Sequence, residues 1–87
     1  MPTISGDPEQ LSSLKSTFEQ QAANIQQLMT TLRSQLESTQ WQGPSADRFR
    51  SVWSGEFEPV LRRLQEALVE AGHEVGKARD RLIQAGY

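Results

Sequence analysis

Apolar residues recur every three or four positions along two long segments of this 87-residue chain, and an adjacent Gly43 and Pro44 separate the two segments. Such spacing places the apolar side chains on one stripe of an α-helix. The first segment has no glycine or proline between residues 9 and 42, so nothing in it interrupts a helix. Because the connection is so short, the pattern predicts an all-α protein whose two long helices fold back on each other as an antiparallel hairpin.

The first predicted helix has a recognisable start. Asp7 can serve as its N-cap, Pro8 fits the first helical position, and Gln10 completes a capping box. We expect this helix to cover about residues 8–39, followed by a turn over residues 40–44. Its apolar stripe comprises Leu11, Leu14, Phe18, Ala22, Ile25, Leu28, Met29, Leu32 and Leu36.

The second predicted helix begins just after the turn. Pro44 suits a first helical position, with Gly43 or Ser45 near the cap. The stripe that follows keeps spacings of three and four throughout, and it comprises Ala46, Phe49, Trp53, Phe57, Leu61, Leu64, Leu68, Ala71, Val75, Ala78 and Leu82.

Two residues of this second segment disfavour a straight helix. Pro59 has no backbone N–H, and Gly55 lies close to it, so we expect a bend near Pro59. Because the stripe keeps its phase across this point, we favour one bent helix over about residues 45–84 rather than two helices. The whole chain, residues 1–87, is then a single domain.

The predicted stripes are too wide for one hairpin to cover. Two helices hide only part of each other's stripe, and a contiguous apolar surface of this width is unusual for a monomer. A short chain with 36% hydrophobic residues also builds only a small core alone. We therefore expect two hairpins to pair into a four-helix bundle dimer, with Trp41 covering its open end. The residues expected in the core or the dimer seam are Leu11, Leu14, Phe18, Ile25, Leu28, Leu32, Phe49, Trp53, Phe57, Leu61, Leu64 and Leu68.

The sequence offers no catalytic or metal-binding constellation. It has no cysteine and one histidine, His73, whose H-E-V-G-K context lacks the second histidine of a zinc site. Arg62 lies four residues from both Glu58 and Glu66, a spacing that predicts ion pairs on the helix surface. We therefore expect no enzymatic activity, no metal and no cofactor.

Charge and hydropathy disfavour other classes of partner. The net charge of −2 and the isoelectric point near 5.3 provide no basic field for nucleic acid or anionic lipid. No apolar run has the length of a membrane span, and the first ten residues do not resemble a signal peptide. Gly72 and Gly76 form a G-x-x-x-G flanked by charged residues, which predicts close helix packing or simple tolerance of glycine. On these grounds alone, the expected location is the cytoplasm.

The turn between the helices carries a more specific combination of residues. Trp41 and Gly43 form a W-x-G, and Ala46, Phe49 and Trp53 follow it, in a short chain with a helix–turn–helix layout. In this setting the sequence resembles the WxG family, the early-secreted-antigen-like substrates of type VII secretion, over essentially its whole length.

The resemblance implies both an assembly and a route out of the cell. Family members are antiparallel helical hairpins that pair into four-helix bundles, as homodimers or as heterodimers of related chains. They leave mycobacteria, other actinobacteria and Firmicutes through a secretion system driven by a membrane ATPase, without a cleaved signal peptide. We therefore expect a protein that is cytoplasmic before export and secreted afterwards, and that meets the ATPase as a dimer. Trp41 and Gly43 would be its export-recognition residues.

The sequence departs from the family at a second export element, a Y-x-x-x-D/E just past the second helix. No tyrosine here is followed four residues later by an acid, and the sequence ends at Tyr87. Either the chain is truncated there or a partner supplies the element. We favour the partner, and hence a heterodimer with a related chain over a homodimer.

Two other functions are compatible with the sequence. One is an intracellular coiled-coil adaptor or chaperone for a larger exported protein. The other is a membrane-acting effector, which has little support because the second predicted helix has a polar face of mixed charge and no lysine-rich stripe. Membrane interaction is therefore not expected.

Overall fold

The computed structural model describes residues 5–86, and within this range the regular secondary structure is entirely helical. The first helix is followed by a short turn and a second helix over residues 44–84, which has three consecutive parts. The elements in chain order are α1 (Pro8–Ser38), α2 (Pro44–Val52), a π-helical turn (Trp53–Phe57) and α3 (Glu58–Gln84).

The two helices pack against each other as an antiparallel hairpin. Gly6, just before α1, lies against Leu82 near the end of α3, whereas Arg33 near the end of α1 bonds to Glu58 at the start of α3. The all-α hairpin expected from the apolar stripes is confirmed. Tyr87, on which the expectation of a truncated or partner-supplied element rests, lies outside the described residues.

The start of α1 is fixed by a side-chain cap, as the sequence predicts. The Asp7 carboxylate accepts hydrogen bonds from the backbone N–H groups of Glu9 (2.9 Å) and Gln10 (3.4 Å), two donors that have no partner inside the helix. Pro8 occupies the first turn, where its missing N–H is not needed.

Gly43 is the N-cap of α2, and Pro44 follows it in the first turn. The φ angle of Gly43 is 113°, in a region that a residue with a Cβ atom rarely adopts. A Cβ built at this glycine would have no atom within 4 Å, so space does not demand glycine here. The backbone conformation does.

The π-helical turn stands where the sequence predicts a bend. The backbone N–H of Glu58 donates to the carbonyl of Trp53, five residues earlier, and the flanking residues Val52 and Glu58 keep right-handed helical angles. Pro59 follows directly and has no N–H to give to the preceding turn. The second helix therefore continues through Pro59 with one wide turn ahead of it.

Small residues form much of the contact between α1 and α3. A Cβ atom on Gly72 would lie 3.3 Å from the Cβ of Phe18, and one on Gly76 would lie 2.9 Å from the Cε of Lys15. Both glycines are buried, so the G-x-x-x-G serves close packing of the two helices. The apolar side chains buried in the hairpin are Ala22, Met29, Ala46 and Leu82.

The expected surface pair of Glu58 and Arg62 is wrong. Glu58 is only 8% exposed, and its Oε1 atom accepts a hydrogen bond from Nε of Arg33 on α1 (2.8 Å) and lies 2.7 Å from Nη2 of the same guanidinium in an ion pair. Glu58 lies on the side of α3 that faces α1, whereas Arg62 is exposed. The ion pair therefore crosses the hairpin instead of following one helix surface.

Candidate recognition turn and pairing face

The W-x-G turn presents a tryptophan at the end of the hairpin. The Trp41 side chain is 38% exposed, and its ring centroid lies 5.6 Å from that of Phe49 at an interplanar angle of 46°. Trp41 is therefore neither buried in the hairpin nor free in solvent, because one side of its indole rests on α2. The structure brings together two residues that the sequence singles out, Trp41 and Phe49.

Sequence reasoning missed a third residue that contacts this turn, Arg50 of α2. Its guanidinium donates to the backbone carbonyls of Trp41 (2.8 Å), Thr39 (3.3 Å) and Leu36 (3.4 Å), and its central carbon lies 5.9 Å from the Trp41 ring centroid. A signal was present in the sequence, because the last turn of α1 has no basic residue of its own.

A second aromatic pair lies further along the second helix. The rings of Trp53 and Phe57 meet edge to face, with centroids 6.4 Å apart. Trp53 also lines an open groove with Phe49 and with Leu32 and Leu36 of α1. Its indole Nε1 is buried and has no hydrogen-bond partner among the described residues.

On α1, the apolar side chains form columns that repeat every seven residues. Ala22 and Met29 occupy the column that faces α3, and both are buried. This column includes positions 15, 22 and 29. Leu14 and Leu28 each come one residue before a position of the column, and both are exposed. The hairpin thus covers the inner column of α1 and leaves the outer one uncovered.

The second helix repeats this arrangement. Glu58 and Gly72 lie in the buried column that faces α1, while Phe57 and Leu64 stand one residue before that column's positions and are exposed. Because the helices are antiparallel and the offset has the same rotational sense on both, the two outer columns lie on the same face of the hairpin.

We call this surface the apolar face, and its exposed members are between 40% and 45% accessible. They are Leu14, Leu28, Leu32, Phe49, Phe57 and Leu64. All six belong to the set expected from sequence in the core or dimer seam. The other members of that set are half-buried between the helices: Leu11, Phe18, Ile25, Trp53, Leu61 and Leu68.

Charges are absent from the part of α1 that borders the apolar face. Residues 20–32 contain no Asp, Glu, Lys or Arg. At helical spacing, the charged residues of α1 fall on its inner side or away from the apolar face; they are Glu9, Lys15, Glu19, Arg33 and Glu37. Depletion of charge around an apolar patch is typical of the centre of a protein–protein interface.

Residues 5–86 contain neither a candidate membrane-spanning helix nor a candidate metal site. None of the helices described there is long and apolar enough to cross a membrane. Among the same residues, no group of His, Asp and Glu side chains is arranged to hold a metal ion. His73 is exposed on α3.

Comparison with known families assigns the chain. The family model described as "Proteins of 100 residues with WXG" matches residues 3–86. The chain belongs to the WXG100 family. This is a family of small, non-enzymatic helical proteins that are secreted through type VII systems.

The WXG100 chain is also similar to a curated protein with a different description. It is 38% identical over 68 residues to the nucleoid-associated protein SYNW0027 of Parasynechococcus marenigrum (strain WH8102). The alignment covers 76% of this chain and 60% of that protein, so the chain spans about 60% of the length of this curated relative. No solved structure matches the chain.

Proposed function

We propose that this WXG100 chain is exported, folded and paired, by a type VII secretion system, and that Trp41 and Gly43 form part of its export signal. The observation that carries the proposal is the Trp41 side chain, which is 38% exposed yet rests against Phe49 at the end of the hairpin. A large aromatic residue kept partly exposed on an ordered turn is suited to recognition by another protein. The membrane ATPase of the secretion system is the reader that we propose.

The proposed partner is a related WXG100 chain that covers the apolar face. Six large apolar side chains on one face, bordered on the α1 side by uncharged residues, support a partner with a matching helical face. We favour a heterodimer, because WXG100 proteins typically pair with other proteins of the family. A homodimer is the alternative.

The experiment that tests the role of Trp41 compares export of two variants from a type VII-competent host. In Trp41→Ala, we expect far-ultraviolet circular dichroism and the assembly mass to match the wild type, and the protein to remain in the cells. Ile83→Ala is the matched control, since it shortens another exposed apolar side chain at the far end of α3 and should be exported normally. Normal export of Trp41→Ala contradicts the proposal, and unfolding of that variant makes Trp41 a structural residue.

The similarity to a nucleoid-associated protein favours a location inside the cell, where the alternative function is that of an adaptor or chaperone for a larger exported protein. Under that alternative, the chain is found in the cell fraction and co-purifies with a larger partner. Binding to DNA is not expected, because the net charge is −2. A gel-shift titration with duplex DNA at low salt checks this, and a shift that disappears at high salt would count against our proposal.

A further inference from the structure

Helix α1 ends without a cation of its own. Its last turn has no basic residue and contains Glu37, although the carbonyl groups at a helix C-terminus carry partial negative charge. The missing cation comes from α2. Arg50 reaches the carbonyl of Leu36 within α1 and the carbonyls of Thr39 and Trp41 beyond its end. A planar group that bonds both sides of the helix end fixes the direction in which the chain leaves α1.

The same guanidinium also holds the side chain of the exposed tryptophan. It lies 5.9 Å from the Trp41 ring centroid, within the range of a cation–π contact, and Phe49 lies 5.6 Å from that centroid. Arg50 thus contacts both the backbone carbonyl and the indole of Trp41, and the neighbouring Phe49 contacts the indole as well. This double attachment sets which part of the indole remains exposed.

We propose that Arg50 is a positioning residue of the W-x-G turn: Arg50 holds the Trp41 side chain in one orientation for the protein that recognises it. The identity of that reader as export machinery rests on the function proposed above. The orientation of Trp41 does not depend on that proposed function, because it can be measured on the purified protein. A spectroscopic test therefore addresses the orientation of Trp41, and an export test addresses its recognition.

The spectroscopic test measures acrylamide quenching of Trp41 fluorescence in a Trp53→Phe background, where Trp41 is the sole tryptophan. In Arg50→Gln, we expect the quenching constant to rise roughly twofold, since an indole that is 38% exposed becomes largely accessible once released. Far-ultraviolet circular dichroism should stay unchanged. Arg48→Gln removes the same charge from an exposed arginine two residues earlier and should quench like the wild type.

Arg50→Lys tests whether the planar guanidinium group or its positive charge alone holds the turn. Lysine keeps the positive charge, but a single ammonium cannot span three carbonyls, so this variant should quench like Arg50→Gln. Wild-type quenching in either Arg50 variant overturns the proposal. Loss of helicity in both variants also overturns it, because Arg50 would then be a structural residue.

The export test then asks whether the orientation is read. Arg50→Gln should be exported severalfold less than Arg48→Gln, in parallel with its raised quenching. Equal export of these two variants overturns the claim that a reader needs this orientation. Normal export of Trp41→Ala is a different result, because it overturns the proposed export signal and leaves the quenching result standing.

Discussion

At the residue scale, the ion pair of Arg33 and Glu58 joins the two helices across the hairpin. Glu58 is 8% exposed, and its Oε1 atom accepts one hydrogen bond from the guanidinium and lies within ion-pair distance of a second guanidinium nitrogen. Burial makes the charge of Glu58 costly unless it is paired, whereas Arg33 keeps part of its side chain in solvent. The pair also matches one position of α1 to one position of α3, and so fixes the register of the two helices.

We expect Arg33→Met to lower the free energy of unfolding by about 2 kcal/mol, because it leaves a buried carboxylate without its partner. Arg62→Met, which changes an exposed arginine on α3, should change it by less than about 0.5 kcal/mol. Urea unfolding at one fixed protein concentration measures both. Equal effects of the two substitutions would show that the ion pair adds no stability.

Two glycines should respond in opposite directions to the same substitution. Gly43→Ala forces a Cβ onto a backbone with φ of 113°, so we expect a loss of about 1–2 kcal/mol. At Gly55, in the π-helical turn, a Cβ meets nothing within 4 Å, so Gly55→Ala should stabilise by about 0.5–1 kcal/mol. Thermal unfolding of both variants checks the signs, and stabilisation by Gly43→Ala would contradict the geometry of the turn.

What could be predicted at this scale was local in sequence. The cap at Asp7, Pro8 in the first turn and the turn glycine Gly43 follow from residues within a few positions of each other. The partners of Glu58 and Arg50 lie across the hairpin or beyond the turn, at a distance that helical spacing does not encode. Both were therefore missed.

At the element scale, the apolar stripe correctly predicted two paired helices, but it did not show which column faces inward. The inner column of α3 contains Glu58, Gln65 and Gly72, none of them a large apolar residue. A pattern that counts apolar residues overlooks such a column. Large apolar residues occupy the neighbouring columns instead, including the exposed positions Phe57 and Leu64.

The close approach of the two helices predicts a strong effect of size at Gly72. Gly72→Leu has to fit a side chain where a Cβ alone would lie 3.3 Å from Phe18, so we expect a loss of about 1–3 kcal/mol. Ala23→Leu, at an exposed position on α1, adds a similar volume and should be nearly neutral. Chemical unfolding compares them, and a neutral Gly72→Leu would contradict the close packing of α1 and α3.

At the scale of the whole molecule, the hairpin is a single layer of helices. Its Cα atoms extend 64 × 22 × 12 Å, whereas a stable domain usually has two packed layers around a core. The apolar face is the surface on which a second layer would pack. Pairing through the apolar face would cover the exposed columns of both helices and add the second layer.

We expect Leu28→Glu to separate paired hairpins, because it places a charge in the middle of the apolar face. Val69→Glu is the matched control: Val69 is also exposed, but it lies on α3 outside the apolar face. Light scattering after size exclusion reports the mass, which should fall from about twice 9.8 kDa to 9.8 kDa in Leu28→Glu alone if the chain pairs with itself. If the partner is a related chain, the same variants are compared in the co-purified complex. Retention of the pair in Leu28→Glu would exclude the apolar face as its interface.

The location of the intact chain in a type VII-competent culture tests the proposed export directly. We would quantify it by mass spectrometry in the medium and in the cells, with a cytoplasmic enzyme as the marker for lysis, with and without an active secretion ATPase. Type VII export predicts full-length chain in the medium only when the ATPase is active. A chain that stays in the cells with the marker enzyme, whatever the state of the ATPase, would contradict it.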